Sequence, residues 1–161
     1  MKWLKWPCIS AGTFAADYAA KRYLERTRKI TDEPTEYLDG RILVRRYTNE
    51  GSIFEKLVGR PKLARNLSAV AFGAVLAGFL HNLFKPGRTL MKLGYALMLG
   101  GGASNFFDRC TRDGVTDYLS IAPKKHSWVR NVVFNLADVA IFSGLFFATL
   151  GILFGKNKDC V

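Results

Sequence analysis

Two aspartates stand out because of the sequence around them. Of the 13 carboxylates in the chain, only Asp17 and Asp138 lie inside strongly apolar stretches, and such acids are usually functional. Asn131, Asn135 and Asp138 are spaced i, i+4, i+7 and would share one face of a helix. If that helix starts near Val132, Asp138 lies about 9 Å below its start. This pattern predicts a polar site that opens toward the 108–131 side and is closed toward the other.

The preceding apolar stretch ends in the same way. Gly101, Asn105 and Asp108 repeat the i, i+4, i+7 spacing, and Arg109 follows them. Two helices would therefore bring short polar stripes to the same face. Asp117 lies in the connection between them, after two β-branched residues that favour an extended segment. We expect that segment to turn Asp117 toward Asp138.

Two carboxylates held close together in a partly dry site cannot both ionise easily. One keeps a proton while the other can deprotonate a water molecule. Such a pair could hydrolyse an amide without a metal or a covalent intermediate. Two other interpretations remain open at this point. Asp108 and Asp117 could simply pair with Arg109 and Arg112, or Asp138 could be the intramembrane acid of a small proton-coupled carrier.

The elements that must position these residues are long apolar segments. Residues 66–84, 89–107 and 132–154 are each close to the roughly 20 residues that a bilayer span requires. They are apolar around most of the circumference, whereas a core helix of a soluble protein shows one stripe. Small residues at Ala69, Gly73 and Ala77, and again at 100–104, predict helix-packing faces.

The N-terminal stretch 3–23 is less apolar. It has a basic start and a short apolar run, so a cleaved signal peptide is an alternative to a retained span. Asp17 and Lys21 are four residues apart, which suits an ion pair on a retained helix. Four spans would place both termini on one side of the membrane.

A polar segment of about 40 residues follows this first span. Within it, Asp39-Gly40 is a turn signal, and the Ile-Leu-Val run after it predicts a short strand in this first long loop. The number of Lys and Arg residues does not decide the orientation, because the large polar segment alone carries more of them than the short segments do. Their density along the chain is higher in the short segments. The short basic segments at 85–92 and 156–158 favour an inner location for those ends, with the polar segment outside.

The net charge of +11 admits nucleic acid or an anionic lipid surface as a partner. The basic residues do not form one helical face beside a soluble core, so we expect lipid and no nucleic acid. Three widely spaced cysteines and two isolated histidines predict neither a disulfide framework nor a metal site.

Five ordered blocks of this sequence resemble the signal peptidase II (lipoprotein signal peptidase) family. Three of them are GGASNFFDRC, GVTDY and FNLAD, and two weaker ones are DYAAK in the first stretch and YTNEGSIF in the polar segment. The matching positions are Asp17, Lys21, Tyr47, Asn49, Gly51, Phe54, Asn105, Asp108, Arg109, Gly114, Val115, Asp117, Tyr118, Phe134, Asn135, Ala137 and Asp138. Tyr118 stands where the family often has Phe.

The resemblance implies a membrane aspartic endopeptidase without a cofactor. Such an enzyme cleaves the signal peptide of a diacylglyceryl-modified prolipoprotein just before the lipidated cysteine. Its catalytic pair would be Asp117 and Asp138. The side chains that shape the site or bind the substrate would be Asn49, Asn105, Asp108, Arg109 and Asn135, while Asp17 and Lys21 would be structural support.

We therefore expect a single membrane-embedded domain over residues 1–161. Its fold class would be an all-α integral membrane protein with four transmembrane helices and a small extracytoplasmic β element. It would lie in the cell membrane, with both termini cytoplasmic and the site toward the outer leaflet. The alternatives are the proton-coupled carrier and an inactive relative that only binds lipidated precursors.

Overall fold

The computed structural model describes residues 3–49, 60–112, 114–121 and 132–154. Within these ranges the chain forms helices and one antiparallel sheet. The helices are α1 (Lys5–Thr27), α2 (Pro61–Leu83), α3 (Thr89–Thr111) and α4 (Leu136–Phe154). The strands are β1 (Thr35–Tyr37), β2 (Ile42–Asn49), β3 (Val115–Ile121) and β4 (Val133–Phe134).

The helices coincide with the four predicted spans to within a few residues at most ends. Among the described helices, α2 and α4 are long and apolar enough to cross a membrane. Their outward faces carry large apolar side chains, and Val70, Phe142 and Phe154 are 72%, 69% and 74% exposed. Such surfaces suit contact with lipid. The crossing of α1 and α3 remains a prediction.

Helix α3 lies at the centre and packs against the other three helices. Its glycines permit a very close approach to α4. A Cβ added at Gly94 would lie 2.5 Å from the Gly144 carbonyl oxygen, and one added at Gly101 would lie 2.5 Å from that of Ala137. The packing face predicted at 100–104 is therefore confirmed.

The small-residue face predicted on α2 is wrong. Nothing lies within 4 Å of a Cβ built at Gly73, and Ala69 and Ala77 are exposed. Helix α2 instead meets α3 through large side chains, as in the stacking of Phe72 on Phe106 at a ring distance of 5.7 Å.

The sheet has the strand order β1-β2-β3-β4, with every pair antiparallel. The predicted turn after β1 is present. Leu38, Asp39 and Gly40 all have positive φ, at 52°, 56° and 76°. The sheet also recruits β3 and β4 from the connection between α3 and α4. The expected fold class, all-α with a β element in the first long loop, is thus incomplete, because half of the described strands come from the connection between α3 and α4.

Helix α4 begins four residues later than the predicted Val132. Val133 and Phe134 are extended because they pair with Ser120 and Leu119 of β3. Asp138 consequently lies in the first turn of α4, and its predicted depth below the start of the helix is wrong. Asn135 precedes the helix, so it does not share a helical face with Asp138. Asn131, Gly51, Phe54 and the basic segment 156–158 lie outside the described residues.

Candidate active site

Asp117 lies in β3 and its side chain is almost wholly buried, with 1% exposure. The pairing of β2 with β3 sets Tyr47 opposite Asp117, which brings the end of β2 within reach of the carboxylate. Asn49 donates from Nδ2 to Asp117 Oδ2 at 2.8 Å. Asn135 donates from Nδ2 to Oδ1 at 2.7 Å. Two amide donors therefore hold the two carboxylate oxygens in place.

Asp138 is fixed by the way α4 begins. The backbone N–H of Asp138 donates to Asn135 Oδ1 at 2.8 Å, and the backbone N–H of Asn135 donates to Asp138 Oδ2 at 3.1 Å. This is the reciprocal arrangement of a capping box, with Asn135 as the cap. Asn105 of α3 donates from Nδ2 to Asp138 Oδ1 at 2.8 Å. The hydrogen bonds at the start of α4, together with Asn105, thus hold the second carboxylate in place.

Asn135 joins the two acids. Its Oδ1 is occupied by the N–H of Asp138, so its Nδ2 must face the other way, toward Asp117 and toward Asn105 Oδ1 at 2.7 and 3.1 Å. Asn105 Oδ1 also accepts a hydrogen bond from Lys21 Nζ at 2.9 Å, which turns the Asn105 amide N–H toward Asp138. The hydrogen-bond network therefore fixes the orientation of both amides.

The electrostatics of Asp117 suit a proton shared with a neighbour. Burial and the nearby negative charge of Asp138 raise its pKa, while the amides of Asn49 and Asn135 oppose the rise. The net effect raises the pKa of Asp117 from 3.8 to about 7. Near neutral pH this carboxyl can therefore both hold and release a proton, as general acid–base chemistry requires.

A buried charge cluster lies next to the acids. Lys21 forms ion pairs with Asp17 at 2.7 Å and with Asp108 at 3.0 Å, and all three side chains are at most 1% exposed. Ser104 adds a hydrogen bond to Asp17 Oδ2 at 2.6 Å. The pair Asp17–Lys21 predicted from spacing is thus present. Since Lys21 also orients the Asn105 amide, and that amide contacts Asp138, the cluster is connected to the two acids by hydrogen bonds.

Asp17 also fixes the start of α4. The backbone N–H of Ala137 donates to Asp17 Oδ1 at 3.1 Å. The hydroxyl of Tyr118 donates to the same oxygen at 3.1 Å and accepts from the backbone N–H of Leu136 at 3.1 Å. A carboxylate near the N-terminus of a helix is also favoured by the helix dipole. Asp17 and Tyr118 therefore tie α1 and β3 to the turn that carries Asp138.

Sequence reasoning missed the role of Tyr118. Tyr118 stands where the family often has Phe, and the signal for its role is the hydroxyl that Phe lacks. Burial raises the pKa of Tyr118, so its phenol stays protonated and remains a donor. A buried tyrosine hydroxyl normally has a hydrogen-bond partner, and here the partner is the Asp17 carboxylate.

Asp108 is part of the buried charge cluster, and no described contact joins it directly to either acid. It contacts Arg112 at 3.4 Å and accepts from the Thr116 backbone N–H at 3.3 Å. Arg112 also pairs with Glu25 at the end of α1. The alternative pairing of Asp108 with Arg112 therefore occurs. Asp117 takes its described hydrogen bonds from amides and forms no ion pair with an arginine among the described residues.

An apolar cleft of about 220 Å³ opens beside the acids, between α2, α3 and α4. Asn105 and Arg109 form its polar end. The apolar walls include Phe72, Val75, Met98, Phe106 and Ile141. A long apolar substrate could therefore lie in this cleft with a polar group next to Asn105, Arg109 and the acids.

The packing below the acids disfavours a path through the bilayer. The contact of Gly101 with the Ala137 carbonyl lies immediately beneath Asp138, and α3 meets α4 again at Gly94 and Gly144. The residues of α4 buried along this contact are Ala140, Gly144, Ala148 and Gly151. These small apolar residues supply no groups for a proton relay, which argues against a carrier.

Comparisons with known proteins bear on what this site does. A family model described as "Signal peptidase (SPase) II" matches residues 9–154. A lipoprotein signal peptidase of Lactobacillus johnsonii is 29% identical over 94% of this chain and 93% of its own. One of Caldicellulosiruptor bescii is 30% identical over 90% of this chain and 88% of its own.

The fold also matches solved structures. A bacterial membrane enzyme solved by the in meso method at 1.9 Å resolution superposes with a TM-score of 0.77. The two chains are 19% identical, and the superposition covers 94% of each. The arrangement of helices and sheet is therefore one already seen in a membrane enzyme.

Proposed function

This chain belongs to the signal peptidase II family, and on that premise we propose that it acts by an aspartic mechanism with Asp117 and Asp138 as the catalytic pair. Its activity is that of a membrane protease that removes signal peptides from prolipoproteins, in line with relatives about 30% identical over most of their length. The observation that carries the mechanism is the bridging of the two carboxylates by Asn135.

In the proposed reaction the two aspartates share one proton. The ionised carboxylate takes a proton from water as the water oxygen attacks the scissile carbonyl carbon. The protonated carboxyl donates to the carbonyl oxygen, which gives a tetrahedral diol. The carboxyl that took the proton from water then passes it to the leaving nitrogen as the C–N bond breaks, and a diol hydroxyl returns its proton to the other carboxylate as the C=O bond re-forms. Asn49, Asn105 and Asn135 hold the two acids in position during these transfers. Which aspartate begins as base is left open, because a coupled pair titrates as a unit.

The proposed substrate is a prolipoprotein that already carries a diacylglyceryl group on its cysteine. The cleft beside the acids has apolar walls and a polar end. Apolar walls suit acyl chains or the apolar part of a signal peptide. Arg109, at the polar end, can hold a carbonyl or ester oxygen with two parallel N–H donors, which a lysine cannot copy. Cleavage would fall just before the lipidated cysteine.

The proposed topology has four spans and both termini in the cytoplasm. Three connections would then alternate between the two sides, with the sheet and the two acids at the outer leaflet. The apolar surfaces of α2 and α4 support the spans, and the basic turn at 85–92 supports an inner location for the opposite end. All elements of the site described above lie at the sheet end of the helices.

The test of this function is cleavage of a defined precursor. Purified protein is incubated with a diacylglyceryl-prolipoprotein and with the same precursor lacking the lipid, and the products are identified by mass spectrometry. We expect a product that begins with the lipidated cysteine, and little or no cleavage of the unmodified precursor. Binding of the lipidated precursor without cleavage would instead support an inactive relative.

A further inference from the structure

A second cleft lies at the opposite end of the helices from the acids. It has a volume of about 350 Å³ and is formed where α1 begins and where α2 turns into α3. Its walls include Trp3, Trp6, Phe84 and Thr89, together with three lysines, Lys5, Lys85 and Lys92. Thr89 and Asn105 are 16 residues apart on α3, so this cleft is about 24 Å from the proposed active site.

The charges around this cleft are unbalanced. No carboxylate of the described residues lines it or forms an ion pair with its three lysines. Lys92 is only 8% exposed, and its ammonium donates to the backbone carbonyl oxygen of Lys85. An ammonium group has three donors, and this contact uses one of them on a neutral acceptor. Lys5 lies 4.5 Å from the ring of Trp6 and adds a second positive charge.

The surroundings indicate which anion would fit. Trp3 packs on Phe84 with ring centroids 5.8 Å apart, and tryptophan is typical of the membrane–water interface. Phe84 is 72% exposed and Leu90 is 38% exposed, so apolar surface continues outward from the basic cleft. A ligand with a negative headgroup and apolar chains would contact both the lysines and this apolar surface, whereas a free anion would contact only the lysines.

We infer that this cleft binds the phosphate of an anionic phospholipid, with Lys5 and Lys92 contacting the phosphate and the acyl chains lying along Phe84 and Leu90. Lipid bound here would anchor the α2–α3 turn at the membrane surface opposite the catalytic site. The inference does not depend on the proposed function, because it concerns binding at a separate site and is tested without substrate.

The test uses the fluorescence of the tryptophans in the cleft. Trp128 is replaced by Phe, so that Trp3 and Trp6 are the only emitters among the three tryptophans of the chain. The protein is reconstituted with phosphatidylglycerol or phosphatidylcholine brominated on the acyl chains, at equal mole fractions. We expect stronger quenching by phosphatidylglycerol. The double variant with Lys5→Gln and Lys92→Gln should have a lower preference for phosphatidylglycerol, by about fivefold for each lysine removed.

A matched control removes two charges elsewhere. Lys29 and Lys62 are exposed and lie near the sheet end of the helices. Lys29→Gln combined with Lys62→Gln should leave the preference unchanged. Lys5→Gln alone, at an exposed side chain, gives the same test if the pair folds poorly. Equal quenching by the two lipids, or a preference that persists without Lys5 and Lys92, overturns the inference. Loss of the preference on adding 10 mM inorganic phosphate would identify a free-phosphate site and also overturn it.

Discussion

Asp117 and Asp138 are bridged by the same residue, since Asn135 donates its side-chain N–H to Asp117 at 2.7 Å and its backbone N–H to Asp138 at 3.1 Å. One residue thus sets the separation of the acids, and it is also the cap of the helix that carries the second. The contacts that position the proposed catalytic pair are therefore the same contacts that begin α4.

The first prediction concerns this bridge. Asn135→Ala removes the side-chain donor to Asp117 and the cap of α4, so the two acids lose their fixed separation. We expect cleavage of the lipidated precursor to fall by about 10² or more, as misplacement of catalytic groups commonly does. Asn82→Ala is the control, because Asn82 is a buried amide bonded to the Gly78 carbonyl at the opposite end of the helices. Equal losses in both variants would show a general effect of removing buried amides.

The second prediction concerns topology. In a cysteine-free background, Asp39→Cys lies in the exposed turn between β1 and β2, and Pro86→Cys lies in the exposed turn between α2 and α3. A membrane-impermeant thiol reagent applied to intact cells should label the first and spare the second. Both should react once the cells are permeabilised. Labelling of Pro86→Cys alone would invert the proposed orientation.

The third prediction concerns the buried charge cluster. Lys21→Met leaves Asp17 and Asp108 as uncompensated charges with at most 1% exposure. Breaking a buried pair in this way costs about 3–5 kcal/mol. We expect a clear fall in the thermal unfolding temperature in detergent. Lys62→Met, at an exposed position, should change it little.

A double variant measures the coupling between Asp17 and Lys21 in the same cluster. Asp17→Asn combined with Lys21→Met removes one negative charge together with the positive one. The double variant should lose less stability than the sum of the single variants, since the two residues are in direct contact. Strictly additive losses would mean that Asp17 and Lys21 contribute independently, with no energetic coupling between the two side chains.

The fourth prediction concerns pH. The pKa of Asp117 is raised from 3.8 to about 7, so the folded protein binds more protons than the unfolded chain between these values. Its contribution to stability is therefore present below pH 4 and is lost as pH rises toward 7. Asp117→Asn should show a weaker fall in unfolding temperature between pH 5 and pH 8 than the unmodified protein. The same fall in both would assign the pH dependence to other groups.

The sequence predicts the helices well because apolar length is a strong signal for a membrane span. It also predicts the turn at Asp39-Gly40 and brings Asp117 to Asp138 through an extended segment. It places the start of α4 wrongly, because apolar content does not distinguish the short strand Val133–Phe134 from helix. The pairing of that strand with β3, a tertiary contact, decides its conformation.

The site is recoverable from sequence in part. The acids and asparagines follow from spacing and resemblance, but their connectivity does not. Lys21 turns the Asn105 amide toward Asp138, and these two residues are 84 positions apart in the sequence. Tyr118 ties Asp17 to the start of α4, and these two are 101 positions apart. Such contacts require the three-dimensional packing of α1 against α3 and β3.

The central claim is that Asp117 and Asp138 act together on the scissile bond. Each general acid or base typically contributes about 10² to 10⁴ in rate. Asp117→Asn and Asp138→Asn should therefore each lose at least that much, because asparagine can neither accept a proton from water nor carry the charge. The double variant should be little worse than either single one, since groups that act as a unit are not additive.

The measurement that decides this is the cleavage rate of a diacylglyceryl-prolipoprotein by each variant at matched amounts of folded protein. Asp32→Asn is the control, an exposed acid that should keep normal turnover. The account predicts that both single variants and the double variant fall to a similar, nearly inactive level. Near-normal turnover in either Asp117→Asn or Asp138→Asn would contradict it.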